Sequence, residues 1–172
     1  LGRHQLDSGG MSPLAFRRVR GDTPRQSPCS VLLVAQAERP SRAAITRAVE
    51  LADGAPIAVL GLLKIHGYAM GMPNPGLMPT HKEREASLKL VSTVVSAIEK
   101  AGSEVDGQVT ATRNPTKAIT KVARSRGVAH VVIDRRPASR LRRTLEGDVA
   151  TALRRRLRGA EVVVIETGPP PG

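Results

Sequence analysis

A chain of 172 residues with 40% hydrophobic content is sized for one domain around a single core. Aromatic residues make up only 1%, so that core must be aliphatic, and the stacking platform of single-strand nucleic-acid binders is poorly provided for. The net charge of +12 favours polyanionic partners, and one cysteine, Cys29, excludes an intrachain disulfide and a cysteine metal cluster.

Residues 1–28 hold five arginines against two acids among Gly, Ser and Pro, and read as a disordered basic N-terminal tail. The first methionine is Met11, and residues 1–10 read as an upstream extension. The N-terminus has no continuous apolar h-region, so no secretory signal is expected. No apolar stretch approaches the ~20 residues of a membrane span. With a single cysteine, these features point to the cytoplasm and away from a membrane partner.

The folded domain is expected over residues 29–167. Ser30–Gln36 is a continuous apolar run of strand length, and Pro40 and Ser41 open a helix with Ala44, Ile45, Ala48 and Leu51 on one face. Ile57–Leu63 is a second buried strand. A Gly- and Pro-rich loop follows, with His66, Met70, Met72 and Met78, and is read as a lid; the spacing of His66 and His81 matches no metal site.

Thr80 and Glu83 form a capping box for a long helix with Leu88, Val91, Val95 and Ile98 inward, closed by Gly102. Glu104–Ala111 alternates and reads as a half-exposed edge strand. Asn114 and Pro115 start a third helix with Ala118, Ile119, Val122 and Ala123 inward, which Gly127 ends. Ala129–Ile133 is a fourth strand, with His130 read as a satisfied core histidine. A basic segment leads into a helix with Leu145, Val149, Leu153 and Leu157 on one side. Glu161–Ile165 is a fifth strand, and residues 168–172 read as a disordered C-terminal tail.

Alternating strands and helices imply an α/β fold: a parallel sheet with right-handed crossovers and helices on both faces. In such sheets ligands sit beyond the strand C-termini where the strand order reverses. The segments there are Gln36–Pro40 and Asp134–Thr144. No nucleophile–base–acid set and no paired carboxylates appear, so no catalysis and no metal are expected.

Four phrases, in order, resemble the universal stress protein family: VLLVAQAERPSRAAITRAVELA, NPTKAITKVARSRGVAHVVID, RRTLEGDVATALRRRL and RGAEVVVIE. The resemblance covers about Ser30–Glu166. It implies a three-layer, Rossmann-like, five-stranded parallel sheet of order 3-2-1-4-5, of the adenine nucleotide alpha hydrolase-like type. It also implies a homodimer through the fifth strand, whose apolar edge Val162, Val163, Val164 and Ile165 needs a cover.

ATP-binding members of that family carry Gly-x2-Gly-x9-Gly-Ser/Thr after the fourth strand, where glycines let backbone amides approach phosphates. With Gly147 as the last glycine, the other two positions fall on Asp134 and Pro137, and the hydroxyl position falls on Asp148. Gln36 stands where an acid normally ends the first strand, and Arg113 where a glycine precedes Asn114. The resemblance thus implies site equivalents at Gln36, Ala37, Leu62, Asp134, Arg135, Arg136, Pro137, Arg140, Gly147, Asp148 and Val149. Pro137 has no amide to donate. Asp134 and Asp148 would repel a triphosphate by about several tenths of a kcal/mol. The cofactor that this pattern brings into question is an adenine nucleotide.

Residues 134–158 hold nine arginines against three acids, a net +6. Arg135, Arg136, Arg140, Arg142, Arg143, Arg154, Arg155, Arg156 and Arg158 form a candidate polyanion site, because guanidinium binds phosphate as a bidentate fork. The last four also suit a helix C-terminus, where cations complement the macrodipole by ~0.3–1 kcal/mol each.

Three functions compete. The first is a non-catalytic stress-response or signalling module with weak, altered or lost adenine-nucleotide binding. The second is a basic accessory protein that binds nucleic acid or the ribosome through the arginine-rich segment 135–158, with an acidic protein as a further candidate partner. The third is a genuine ATP- or AMP-binding member of the family.

Overall fold

The computed structural model describes residues 19–21, 28–36, 38–65, 78–135 and 149–166. Its elements are β1 (Val19–Gly21), β2 (Val31–Gln36), α1 (Arg42–Ala52), β3 (Ile57–Lys64), α2 (His81–Lys100), β4 (Val105–Thr112), α3 (Pro115–Arg126), β5 (His130–Arg135), α4 (Val149–Arg156) and β6 (Glu161–Glu166). They form one parallel sheet in the order β1-β4-β3-β2-β5-β6. The five expected strands stand in the expected 3-2-1-4-5 order.

One addition corrects the sequence reading. Val19–Gly21, placed within a disordered tail, pairs with Gly107–Val109 of β4. The predicted third strand is therefore not an edge over that stretch. Its alternation has another cause: the polar residues belong to the side of the sheet that α3 covers, where Asp106 meets Arg126 and Gln108 is buried. Residues 1–18, 22–27 and 167–172, the loop 66–77 with His66, Met70 and Met72, and Leu145 lie outside the described residues.

The helix ends follow their local chemistry. Ser41 caps α1 by accepting from the Ala44 amide at 3.2 Å. Thr80 and Glu83 satisfy each other's amides as a capping box. Asn114 accepts from the Lys117 amide at 3.0 Å, with Pro115 as the first helical residue. Gly127 closes α3 in the left-handed region at φ 63°.

Both faces of the sheet are buried, which is why β2 and β3 read as unbroken apolar runs. Val31, Leu33 and Ala35 pack towards Ala44 and Ala48 of α1 and Val91, Val94 and Ile98 of α2. Leu32 and Val34 pack towards Ile119 and Val122 of α3 and Leu153 of α4. One helical layer is thus α1 and α2, and the other is α3 and α4. Each fully buried aliphatic side chain contributes about 1.5–3 kcal/mol.

Candidate functional site at the strand C-termini

β2 and β5 lie side by side in the middle of the sheet, with Val34 opposite Ile133. Beyond them the chain turns to α1 on one face and towards α4 on the other. This is the switch point at which doubly wound sheets bind ligands.

Asp134 follows Ile133 directly and is half-buried. Its Oδ2 accepts from the backbone N–H of Ser41 at 2.5 Å. The contact joins residues 93 apart in sequence and satisfies one of the orphan amides at the start of α1. A carboxylate at a helix N-terminus complements the macrodipole.

Gln36 ends β2 with its side chain exposed, opposite Leu62 of β3. Leu62 is buried in the core on the α3 and α4 side. Arg135 lies opposite Glu166, and its Nη1 stands 3.7 Å from Glu166 Oε1. That guanidinium is thus directed along the sheet towards β6. Val149 begins α4 and packs against the same core as Leu62. Ala37, Arg136, Pro137, Arg140, Arg142, Arg143, Gly147 and Asp148 lie outside the described residues.

Arg154, Arg155, Arg156 and Arg158 are exposed at the far end of α4. They do not join Gln36 and Asp134: α4 follows β5 as a crossover, so its C-terminus returns towards the opposite end of the sheet. Arg154 Nη2 donates to the Val162 carbonyl at 3.3 Å, and Arg124 Nη2 donates to the Arg156 carbonyl at 2.8 Å. The described arginines of that segment, Arg135 on one side and Arg154, Arg155, Arg156 and Arg158 on the other, therefore divide between two ends of the sheet.

Three further expectations meet the structure here. His130 is half-buried with Nε2 3.4 Å from Glu161 Oε2, but its Nδ1 is buried without a hydrogen-bond partner among the described residues, so it is not fully satisfied. His81 lies 3.7 Å from Glu85 on the exposed face of α2, and no three metal-ligating side chains converge among the described residues. The apolar edge strand is less bare than its sequence suggests: Val162 is buried, and Val163, Val164 and Ile165 pack partly against the two cores. A cavity of about 630 Å³ runs along α2, lined by Lys89, Ser92, Thr93, Ser96 and Lys100, with Arg39 from the β2–α1 connection.

Sequence reasoning missed Arg126. Its side chain is 1% exposed and makes a bidentate pair with Asp106 of β4 at 2.5 Å. The only trace in the sequence is an arginine two residues after the exposed Arg124 at the end of α3.

These features define a doubly wound α/β protein with helices on both faces and a switch point at the strand C-termini. The chain belongs to the universal stress protein family, whose model matches residues 30–165. Solved structures agree with that fold. A universal stress protein family member from Burkholderia pseudomallei has a TM-score of 0.57 at 16% identity, covering 79% of this chain and 95% of that one. A universal stress protein in complex with cAMP gives 0.58 at 14% identity, covering 83% and 99%. The Archaeoglobus fulgidus protein in complex with dAMP gives 0.53 at 20% identity, covering 82% and 97%. No curated protein matches the chain.

Proposed function

We propose that this protein is a non-catalytic stress-response or signalling module of its family, with an altered adenine-nucleotide site. The observation that carries this reading is the 2.5 Å hydrogen bond from the Ser41 amide to Asp134. A carboxylate fills a helix-terminal donor beside the crevice, and a phosphate approaching that donor meets a negative charge instead. Two relatives of the same fold were solved with cAMP and with dAMP, ligands with one phosphate each. A crevice that carries its own carboxylate tolerates one phosphate better than three, because repulsion grows with ligand charge. No helix among the described residues is long and apolar enough to cross a membrane, and the buried Cys29 thiol suits the reducing cytoplasm in which we place the protein.

Calorimetric titration tests this. Affinity is expected to fall from cyclic AMP to AMP to ATP, and Asp134→Gly is expected to raise ATP affinity about tenfold. Tight ATP binding by the native chain, unchanged in Asp134→Gly, would reject the reading.

We also infer a homodimer through β6. It is the outer strand of the sheet, and Val163, Val164 and Ile165 are only partly covered within one chain. Light scattering at micromolar concentration is expected to give twice the chain mass; a strictly monomeric mass would sink the inference.

A further inference from the structure

The two helical layers differ sharply in charge. On α1 and α2, four glutamates (Glu50, Glu83, Glu85 and Glu99) are interleaved with the basic residues. α3 and α4 contain no carboxylate at all. On α3, Lys117, Lys121 and Arg124 are exposed at i, i+4 and i+7, which places them on one stripe. On and just after α4, Arg155, Arg156 and Arg158 are exposed. The hydrogen bond from Arg124 to the Arg156 carbonyl ties the two groups together across 32 residues of sequence. Among the described residues, two carboxylates of the strands are already engaged: Asp106 holds Arg126, and Glu161 faces His130.

Helix-dipole compensation accounts for part of this charge. Arg124, Arg155 and Arg156 lie in last turns, where cations are favourable. It does not account for Lys117, which lies in the first turn of α3, where the dipole disfavours a cation. Lys117 stands against the dipole and Lys121 lies outside either terminal turn, so a function for the stripe is sought in an external counter-charge.

We infer that the outer face of α3 and α4 docks the phosphate backbone of a nucleic-acid duplex. From Lys117 to Arg124 the stripe runs about 10 Å along the helix, the span of roughly three phosphates of one strand. Single strands are disfavoured because the chain holds one Tyr, one Phe and no Trp to stack on bases. A lipid surface is disfavoured because the only large exposed hydrophobic among the described residues is Met78, which precedes α2 on the other layer. Contacts to phosphate carry no sequence information, so docking of these cations on the backbone is independent of sequence. This function is separate from the crevice at Asp134 and does not depend on it.

The test is fluorescence anisotropy of the full chain with labelled DNA duplexes of about 20 base pairs in two unrelated sequences, titrated between about 50 and 200 mM salt. Equal affinity for both sequences and a steep salt dependence are expected. Lys117→Gln with Lys121→Gln is expected to weaken binding severalfold and reduce the slope of log K against log salt by about 1.8. Arg155→Gln with Arg158→Gln provides a second variant of the same face. The control pair Lys82→Gln with Lys89→Gln, on α2, removes the same charge and is expected to leave the slope unchanged. Identical curves for the native chain and both variants of the α3 and α4 face would overturn the inference. So would equal loss in the α2 control, which would mean net charge alone is felt. Tighter binding to phosphatidylserine vesicles than to duplex, or displacement of the duplex by polyglutamate at equal charge, would overturn it in favour of another partner.

Discussion

Arg126, at the end of α3, reaches under the sheet to Asp106 on β4 and donates from both terminal nitrogens to the two carboxylate oxygens, each at 2.5 Å. The partners are unequal: the arginine side chain is 1% exposed and the aspartate 44%. Burial alone would favour the neutral guanidine, but Asp106 outweighs it and holds Arg126 protonated above its ordinary range. The two substitutions should therefore differ. Asp106→Ala strands a buried charge and is expected to cost about 3 kcal/mol, the low end for a buried pair because water reaches the aspartate side. Arg126→Met removes the buried charge and leaves a carboxylate that water can solvate, at a cost of about 1–2 kcal/mol. Urea denaturation followed by far-ultraviolet circular dichroism checks the order; a greater loss in Arg126→Met would contradict it.

Cys29 lies beside this pair, 5% exposed. Burial pushes its thiol up to about 11 from 9.0, against the opposing pull of Arg126. The folded chain therefore keeps the proton where the unfolded chain has lost it. The resulting stabilisation is complete below about pH 9 and is lost as pH rises through about 11. Its size is on the order of 2–3 kcal/mol. Cys29→Ala is expected to remove this part of the alkaline decline, read as the difference between native and variant stability curves. The native thiol should also resist disulfide reagents at pH 8 and react fully in urea.

Gly61 sits in β3 beneath α2, where an added Cβ would stand 2.5 Å from Val91 Cγ2 and 3.2 Å from Val109 Cγ2. Gly61→Ala is expected to destabilise by about 1–3 kcal/mol by pushing the helix off the sheet. Val91→Ala opens that space, so the double substitution should cost less than the sum of the single ones. Strict additivity in a double-mutant cycle would show that the two side chains do not compete.

The proposed function makes Asp134 a link between stability and ligand choice. Replacing it with Ala leaves the partly buried Ser41 amide without its acceptor, at an expected cost of about 1–2 kcal/mol. The same change removes negative charge from the crevice. Thermal unfolding should therefore show a lower midpoint for Asp134→Ala alone and a larger upward shift on adding ATP than the native chain shows. A variant neither less stable nor more responsive to ATP would mean that the Asp134 contact has no such double role.

Much of the scaffold was legible because its signals are local. A capping serine, a capping box, an Asn-Pro start and a glycine stop act within a few residues, and Ser41, Thr80, Asn114 and Gly127 appear where they were expected. Apolar runs buried on both faces are legible for a similar reason, since hydrophobicity along β2 and β3 needs no partner to be seen. The candidate site was legible only in part. Asp134 and Gln36 could be placed at the strand ends from their order in the chain. That the Asp134 carboxylate already serves a helix amide could not, because Ser41 lies 93 residues away.

The residues alone thus determined the alternation of strands and helices, and their resemblance to one family implied the order of five strands in the sheet. Tertiary structure decided the rest. It recruited Val19–Gly21 into the sheet, since an exposed strand edge can accept any neighbouring extended segment. It buried one arginine against Asp106 and left its neighbour Arg124 in water, because helical periodicity turns adjacent residues to different surroundings. It also divided an arginine-rich segment that looks continuous in sequence. Arg135 went to the strand ends, and Arg155 and Arg158 joined Lys117 and Lys121 at the layer of α3 and α4. Charge is written along the chain, but the surface on which it collects is set only when helices distant in sequence pack side by side.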